Sequence, residues 1–131
     1  MKYLDELEKL NLPVGQYAIF GSGPLAARAI RASADLDVIV KAGLWTDLTK
    51  KYVGLIQGDP ECLKIGLIEI YKDWLMLTNK IDQMVDSAEV IDGFPYVRLE
   101  YVIEWKQQMG RDKDKHDLKL IKQYQNNIKS R

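Results

Sequence analysis

Two aspartates separated by one residue, Asp35 and Asp37, are the side chains of this sequence best suited to chemistry. They belong to the run from Asp35 to Val40, whose alternation predicts a strand with Leu36 and Val38 on one face and both carboxylates on the other. Adjacent carboxylates repel each other and are costly to bury, and a divalent cation that prefers oxygen ligands removes that cost. The pair therefore indicates a Mg²⁺ or Mn²⁺ site.

The residues before this pair predict a turn that could bind phosphate. Tyr17 to Phe20 predicts a short buried strand, and Gly21-Ser22-Gly23 lets the backbone turn sharply after it. Pro24 suits the first position of a brief helix, which we predict from about Leu25 to Ile30. The free N–H groups at the start of a helix attract phosphate.

The stretch consists of the strand, Gly21-Ser22, the helix and, after twelve intervening residues, Asp35-Leu36-Asp37. This arrangement resembles the nucleotidyltransferase superfamily related to DNA polymerase beta. The resemblance implies that Asp35 and Asp37 are catalytic and hold one or two Mg²⁺ or Mn²⁺ ions. It also implies that Gly21 and Ser22 bind the terminal phosphates of an NTP donor such as ATP. The family expects a third metal-binding acid on a following strand.

Glu69 is our candidate for this third acid. The run from Leu63 to Tyr71 is nearly continuous in apolar residues and predicts one central strand, with Glu69 on the face of Ile65 and Leu67. By the resemblance, Glu69 would bind metal and could serve as the general base. The alternative is a strand end at which Glu69 reaches water or pairs with Lys72.

A second group of charged residues lies on two helices predicted at the carboxyl end. In the helix from Arg98 to Met109, helical spacing turns Lys106 toward the body of the protein, and Asp114 and Asp117 share the inner face of the last helix. The segment from Lys106 to Leu118 resembles small bacterial nucleotidyltransferases, among them antibiotic-modifying enzymes and abortive-infection toxins. The resemblance implies that Lys106 reaches the nucleotide phosphates. The alternative is an internal ion pair of Lys106 with Asp117 or Asp114.

Four further basic positions have weaker roles in this interpretation. Arg28 could steer the triphosphate or be solvated, and both alternatives stay open. Arg31 is expected to be solvated, and Arg111 and Lys113 are expected to lie half-exposed in a solvated turn.

The length and composition predict one domain over residues 1–131, and the resemblance implies that this domain is nucleotidyltransferase-like. We expect an α/β (α+β) nucleotidyltransferase fold, in which helices flank a small mixed β-sheet and two C-terminal helices close the structure. Nineteen basic and nineteen acidic residues cancel, so there is no strong nucleic-acid signal. The single cysteine, and the lack of a signal peptide or a membrane-length apolar run, predict a cytoplasmic protein without a membrane partner.

The expected function is therefore metal-dependent transfer of a nucleoside monophosphate from an NTP to an acceptor hydroxyl. The acceptor, which could be a small molecule, RNA or protein, is not identified by the sequence. Two alternatives are a toxin–antitoxin partner protein, whose main property is to bind another protein, and a catalytically degenerate module that keeps only the fold.

Overall fold

The computed structural model describes residues 2–59 and 61–129, which form a mixed β-sheet with helices on both faces. Its α-helices are α1 (Lys2–Leu10), α2 (Gly23–Ala27), α3 (Ala42–Lys51), α4 (Ile81–Asp86), α5 (Leu99–Met109) and α6 (Asp112–Lys129), and a 3-10 turn (Thr78–Lys80) precedes α4. Its strands are β1 (Tyr17–Phe20), β2 (Leu36–Val40), β3 (Ile56–Gln57), β4 (Cys62–Ile65), β5 (Ile68–Tyr71), β6 (Glu89–Ile91) and β7 (Phe94–Tyr96).

The seven strands lie in the order β3-β4-β5-β2-β1-β7-β6. Strand β2 is parallel to β5 and β1 is parallel to β7, and the other neighbours are antiparallel. All four residues of β1 are buried, because helices cover the sheet on both sides at its centre. The predicted mixed sheet with flanking helices is confirmed at this level.

Two apolar clusters occupy the two faces of the sheet. Helices α1 and α3 pack on one face, where the buried residues include Tyr3, Leu7, Ile19, Val38, Leu44, Trp45, Leu48 and Ile70. Helices α4, α5 and α6 pack on the other face, where they include Phe20, Ile39, Trp74, Met84, Val85, Val102 and Ile121. The candidate site lies on this second face.

The prediction of one central strand from Leu63 to Tyr71 is wrong, because the segment is a hairpin of β4 and β5. Gly66, with φ 59°, takes the first of the two loop positions, where a tight hairpin favours glycine. Ile65 therefore pairs with Ile68 and lies on the face opposite Glu69 rather than beside it. The turn leaves β5 free to run parallel to β2.

The brief predicted helix is α2, which starts at Gly23 and ends at Ala27 rather than near Ile30. The left-handed backbone of Ala29, with φ 57°, explains why the helix does not continue. Both predicted C-terminal helices are present, and Gly110 separates them with a left-handed φ of 61°. Ile128, near the end of α6, is half-exposed. In the part of the chain that the structure describes, no helix is long and apolar enough to cross a membrane.

Candidate functional site

Asp37 and Glu69 are direct neighbours on two parallel strands. They are register partners of β2 and β5, so their side chains project from the same face of the sheet. The two carboxyl groups lie within hydrogen-bonding reach. Burial, the charges of Glu69 and Asp35, and this hydrogen bond raise the pKa of Asp37 from 3.8 to about 7. The structure thus brings together two of the three predicted acids and keeps one proton between them near neutral pH.

Asp35 precedes β2, which begins one residue later, at Leu36. Its side chain is exposed, and its charge helps to raise the pKa of Asp37. Within residues 2–59 and 61–129, no three His, Cys, Asp or Glu side chains form a group arranged to hold a metal ion. Mg²⁺ often binds proteins through only one or two carboxylates, with water and substrate phosphates as its other ligands. The oxygen donors of Asp37 and Glu69 fit that mode.

Gly21 brings the backbone against the Asp37 carboxylate. It follows β1 with φ 63°, a conformation that favours glycine. A Cβ atom at this position would overlap Oδ2 of Asp37. The Gly-Ser turn therefore covers the carboxylate pair closely, and a side chain at position 21 is excluded by both space and backbone conformation.

The Ser22 hydroxyl is part of a short hydrogen-bond chain. Ser33 Oγ donates to the carbonyl oxygen of Asp35 at 2.7 Å, and the two serine hydroxyls are 2.6 Å apart. Because the Ser33 proton is used in this bond, Ser22 donates to Ser33. This chain ties the Gly-Ser turn to the start of β2 and fixes the position of Asp35.

Glu69 has two further polar neighbours besides Asp37. Tyr71 Oη donates to Glu69 Oε2 at 3.0 Å, and Lys64 Nζ lies 3.7 Å from Oε1. Lys72, the alternative partner that we considered, lies instead over the ring of Trp45. Burial and the hydrogen bond to Glu69 raise the pKa of Tyr71, so this hydroxyl stays protonated and donates.

Lys106 forms the internal ion pairs of the second alternative. Its side chain is only 4% exposed, and Nζ lies 2.9 Å from Asp117 Oδ2 and 3.6 Å from Asp114 Oδ1. Burial raises the pKa of Asp117, but hydrogen bonds from Arg31 and Lys106 outweigh burial and hold this pKa below its usual range. Lys106 thus joins α5 to α6, and its ammonium group is held inside the protein.

The expectation that Arg31 is solvated is wrong. Its guanidinium donates two hydrogen bonds to Asp117, at 2.7 and 2.9 Å. Arg31 lies between α2 and β2, so this pair fastens the segment before Asp35 to α6. Arg111 is half-exposed, as expected, but is not free in a solvated turn, because it binds both carboxylate oxygens of Asp114.

Arg28 and Lys113 complete the set of predicted basic residues. The Arg28 side chain is 6% exposed and donates to the carbonyl oxygen of Pro24 and to Glu89. The alternative of a solvated Arg28 is therefore wrong, and its guanidinium is engaged inside the protein. Lys113 lies exposed at the start of α6.

A cleft of about 360 Å³ lies beside the carboxylate pair. Tyr71, which binds Glu69, and Cys62, whose pKa is raised by burial and then by the Glu69 charge, are both in its wall. The other residues in the wall are Gly58, Asp59, Asp73, Trp74, Leu75, Trp105, Met109 and Arg111. Sequence reasoning missed this cleft, because its residues come from β4, β5, α5 and three loops.

Comparison with known proteins adds no family assignment. Neither a protein-family model, nor a curated protein, nor a solved structure matches the chain.

Proposed function

We propose that this protein is a metal-dependent nucleotidyltransferase with the fold of that superfamily, and that it transfers a nucleoside monophosphate from an NTP to an acceptor hydroxyl. The observation that carries the proposal is the Asp37–Glu69 pair, which lies directly against the backbone of Gly21. Two carboxylates in contact are unfavourable unless a proton or a cation lies between them. The adjoining Gly-Ser turn supplies a place for the phosphates that such a cation would accompany.

Binding of the donor would use the backbone around this turn. The N–H groups of Gly21 and Ser22 would face the terminal phosphates, in the manner of other glycine-rich turns that lead into a helix. The Ser22 hydroxyl donates to Ser33 and would serve mainly to hold the turn in shape. Lys106, Arg28 and Arg31 are engaged in internal contacts, so direct phosphate binding by them is not part of the proposal.

The proposed reaction is an in-line displacement at the α-phosphorus. The acceptor O–H gives its proton to a Glu69 oxygen, the acceptor oxygen forms a bond to the α-phosphorus, and the bond to the bridging oxygen breaks to release pyrophosphate. Asp37 and Glu69 would hold Mg²⁺ or Mn²⁺, which when bound supplies charge stabilisation and lowers the pKa of the acceptor hydroxyl. Tyr71 orients Glu69 through its hydrogen bond to Oε2.

Calorimetric titration of ATP, CTP, GTP and UTP, each with and without Mg²⁺, tests this proposal. We expect one NTP at least to bind the native protein only with Mg²⁺, and Asp37→Asn/Glu69→Gln to lose that binding. Asp47→Asn is the matched control, because Asp47 is an exposed acid on α3, which packs on the opposite face of the sheet. If no NTP binds, or if the double variant binds as the native protein does, the proposal is wrong.

A second candidate is a module that binds a nucleotide without transferring it. It is favoured by the position of Asp35, which lies before β2 and leaves two rather than three acids in contact. The two candidates differ in a product assay with labelled NTP and a cell extract as the source of acceptor. Metal-dependent label transfer that Asp37→Asn abolishes supports the enzyme, whereas tight NTP binding without transfer supports the module.

A further inference from the structure

The segment that leads from α2 to β2 buries little of its own surface. Its last five residues, 31–35, are all exposed or half-buried. A segment of this kind gains little from apolar burial, so its hydrogen bonds decide where it lies. The Ser33 hydroxyl contacts the Ser22 hydroxyl of the Gly-Ser turn and donates to the carbonyl oxygen of Asp35. Ser33 is therefore the point at which this segment meets the proposed donor site.

Arg31 anchors the start of this segment to α6. Its guanidinium binds both carboxylate oxygens of Asp117, at 2.7 and 2.9 Å, and donates a third hydrogen bond, of 3.1 Å, to the carbonyl oxygen of Ala32. Ala32 directly precedes Ser33, so one side chain joins α6 to the backbone next to the serine that contacts the Gly-Ser turn. A planar guanidinium suits this task, because its donors point in fixed, diverging directions.

The far end of this connection is fixed by buried charges of α5 and α6. The Asp117 side chain is 4% exposed, and it also binds Lys106 of α5, whose Nζ lies 2.9 Å from Oδ2. A buried ion pair is weak evidence for stability, because apolar residues of similar volume would join two helices as well. What apolar residues would not supply is a fixed carboxylate that holds Arg31 by two hydrogen bonds.

We propose that Arg31 is a positioning residue of the donor site. Through it, the buried Lys106–Asp117 pair holds the Gly-Ser turn and Asp35 in place for a cation and its phosphates. The inference rests on the proposed function and deepens it, since Arg31 acts through Ser33 rather than by contact with the phosphates. Its contribution is to order in advance a segment that would otherwise lose conformational freedom on binding. The two C-terminal helices thereby take part in donor binding from outside the turn.

The positive charge of Arg31 gives the test its sign. Mn²⁺ alone is titrated into the full chain at pH 8, and free Mn²⁺ is followed by EPR. Without positioning, removing a positive charge near the acids would favour a bound cation, so Arg31→Met would tighten Mn²⁺ binding. A purely structural role would lower the free energy of unfolding and leave the affinity of the folded protein unchanged. With positioning, we expect Arg31→Met to weaken Mn²⁺ binding about tenfold, as loss of an outer contact does at other metal sites.

Arg111→Met is the matched control. The Arg111 side chain is 39% exposed, against 37% for Arg31, and it binds both oxygens of Asp114, another buried aspartate of α6. Its loss removes an equivalent ion pair without touching the segment 31–35, so Arg111→Met should bind Mn²⁺ no more weakly than the native protein does. Arg31→Lys keeps the charge but not the planar fork and should weaken Mn²⁺ binding about threefold. Unchanged or tighter binding in Arg31→Met, or equal weakening in Arg111→Met, would overturn the proposal.

Asp117→Asn separates positioning from direct phosphate contact. The probe is inorganic triphosphate, titrated together with Mn²⁺. If Arg31 bound the phosphates itself, Asp117→Asn would loosen its guanidinium from α6 and tighten triphosphate binding. Positioning predicts weaker binding in Asp117→Asn, as in Arg31→Met, and no further loss in Arg31→Met/Asp117→Asn, because the two residues act as one unit. Tighter binding in Asp117→Asn, or additive losses in the double variant, would contradict the proposal.

Backbone ¹⁵N relaxation, measured without metal or phosphate, tests the anchor independently of the proposed function. In Arg31→Met the order parameters of residues 31–35 and of Ser22 should fall from a rigid value of about 0.85 toward about 0.6, whereas Arg111→Met should leave them unchanged. Unchanged order parameters in Arg31→Met overturn the positioning role. If the native protein binds neither Mn²⁺ nor triphosphate, the proposed function is wrong, while lower order parameters in Arg31→Met still support the anchor.

Discussion

The proton held by Asp37 makes the stability of this protein depend on pH in a direction opposite to that of most carboxylates. Its pKa rises from 3.8 to about 7 in the folded protein because of burial and the charges of Glu69 and Asp35. Between these two values the folded protein keeps a proton that the unfolded chain has lost. The free energy of unfolding therefore falls as pH increases from about 4 to about 7 and is level above that range.

Asp37→Asn removes this dependence. Each pH unit between the two pKa values lowers the free energy of unfolding by about 1.36 kcal/mol, because Asp37 is harder to ionise in the folded protein than in the unfolded chain. The loss is about 3 kcal/mol between pH 5 and pH 7 and about 4 kcal/mol in total above pH 7. Urea denaturation with EDTA at pH 5 and pH 8 should therefore show a larger stabilisation by Asp37→Asn at pH 8, with a difference of about 3 kcal/mol. The same comparison with Asp47→Asn should show no such difference.

Magnesium provides an independent check of the same reasoning. If Asp37 and Glu69 bind the cation together, adding Mg²⁺ at pH 8 should stabilise the native protein and leave Asp37→Asn unchanged. A stability gain from Asp37→Asn that is the same at pH 5 and pH 8, or no gain at either, would refute the account of a proton shared by buried acids.

Three other substitutions test separate parts of the structure by urea denaturation. Gly21→Ala should lower the free energy of unfolding by about 2 to 3 kcal/mol and abolish Mg²⁺-dependent NTP binding, because the new Cβ meets Asp37. The control Gly15→Ala has open space and should cost about 1 kcal/mol from its φ of 86° alone. Equal costs for the two variants would contradict the close approach of Gly21 to Asp37. Lys106→Met should cost about 3 kcal/mol because it leaves buried carboxylates short of a partner, while the exposed Lys113→Met should stay within about 0.5 kcal/mol; a neutral Lys106→Met would contradict the ion-pair role. Ser33→Ala should cost about 1 to 2 kcal/mol because it breaks two hydrogen bonds, and faster amide exchange at residues 34–36 should accompany the loss; unchanged exchange contradicts its role in fixing the start of β2.

The segment around the Gly-Ser turn could be predicted because its signals are local. The apolar run of Tyr17–Phe20, the glycines after it and the alternation up to Val40 each specify backbone geometry within a few residues. The observed strands β1 and β2 follow these signals, apart from the first residue of β2. The position of Asp35 differs because a strand boundary depends on hydrogen bonds to neighbouring strands, which a short pattern does not reveal.

The hairpin of β4 and β5 was missed although the sequence contains a signal for it. Gly66 interrupts an otherwise apolar run, and an isolated glycine in a strand pattern often marks a turn or a bulge. Glu69 nevertheless lies beside Asp37, although for a different reason from the one we used. Glu69 reaches Asp37 because β5 is parallel to β2, and not because a single long strand alternates.

The ion pair of Arg31 with Asp117 could not be predicted from spacing, because 86 residues separate the partners. Helical periodicity did indicate that Lys106, Asp114 and Asp117 point inward, and all three are buried. It did not distinguish phosphate binding from internal pairing, since that depends on how α5 and α6 pack together. The cleft could not be predicted from the sequence either, because its wall comes from distant parts of the chain.

The central claim, that Asp37 and Glu69 jointly hold a divalent cation for a nucleotide seated on the Gly21–Ser22 turn, is tested most directly by crystallography. Crystals grown with Mn²⁺ and a non-hydrolysable NTP analogue would be measured at the manganese absorption edge. The account predicts an anomalous peak coordinated by both carboxylates, with the triphosphate lying over Gly21 and Ser22. A peak elsewhere, or a triphosphate bound away from this turn, would contradict it.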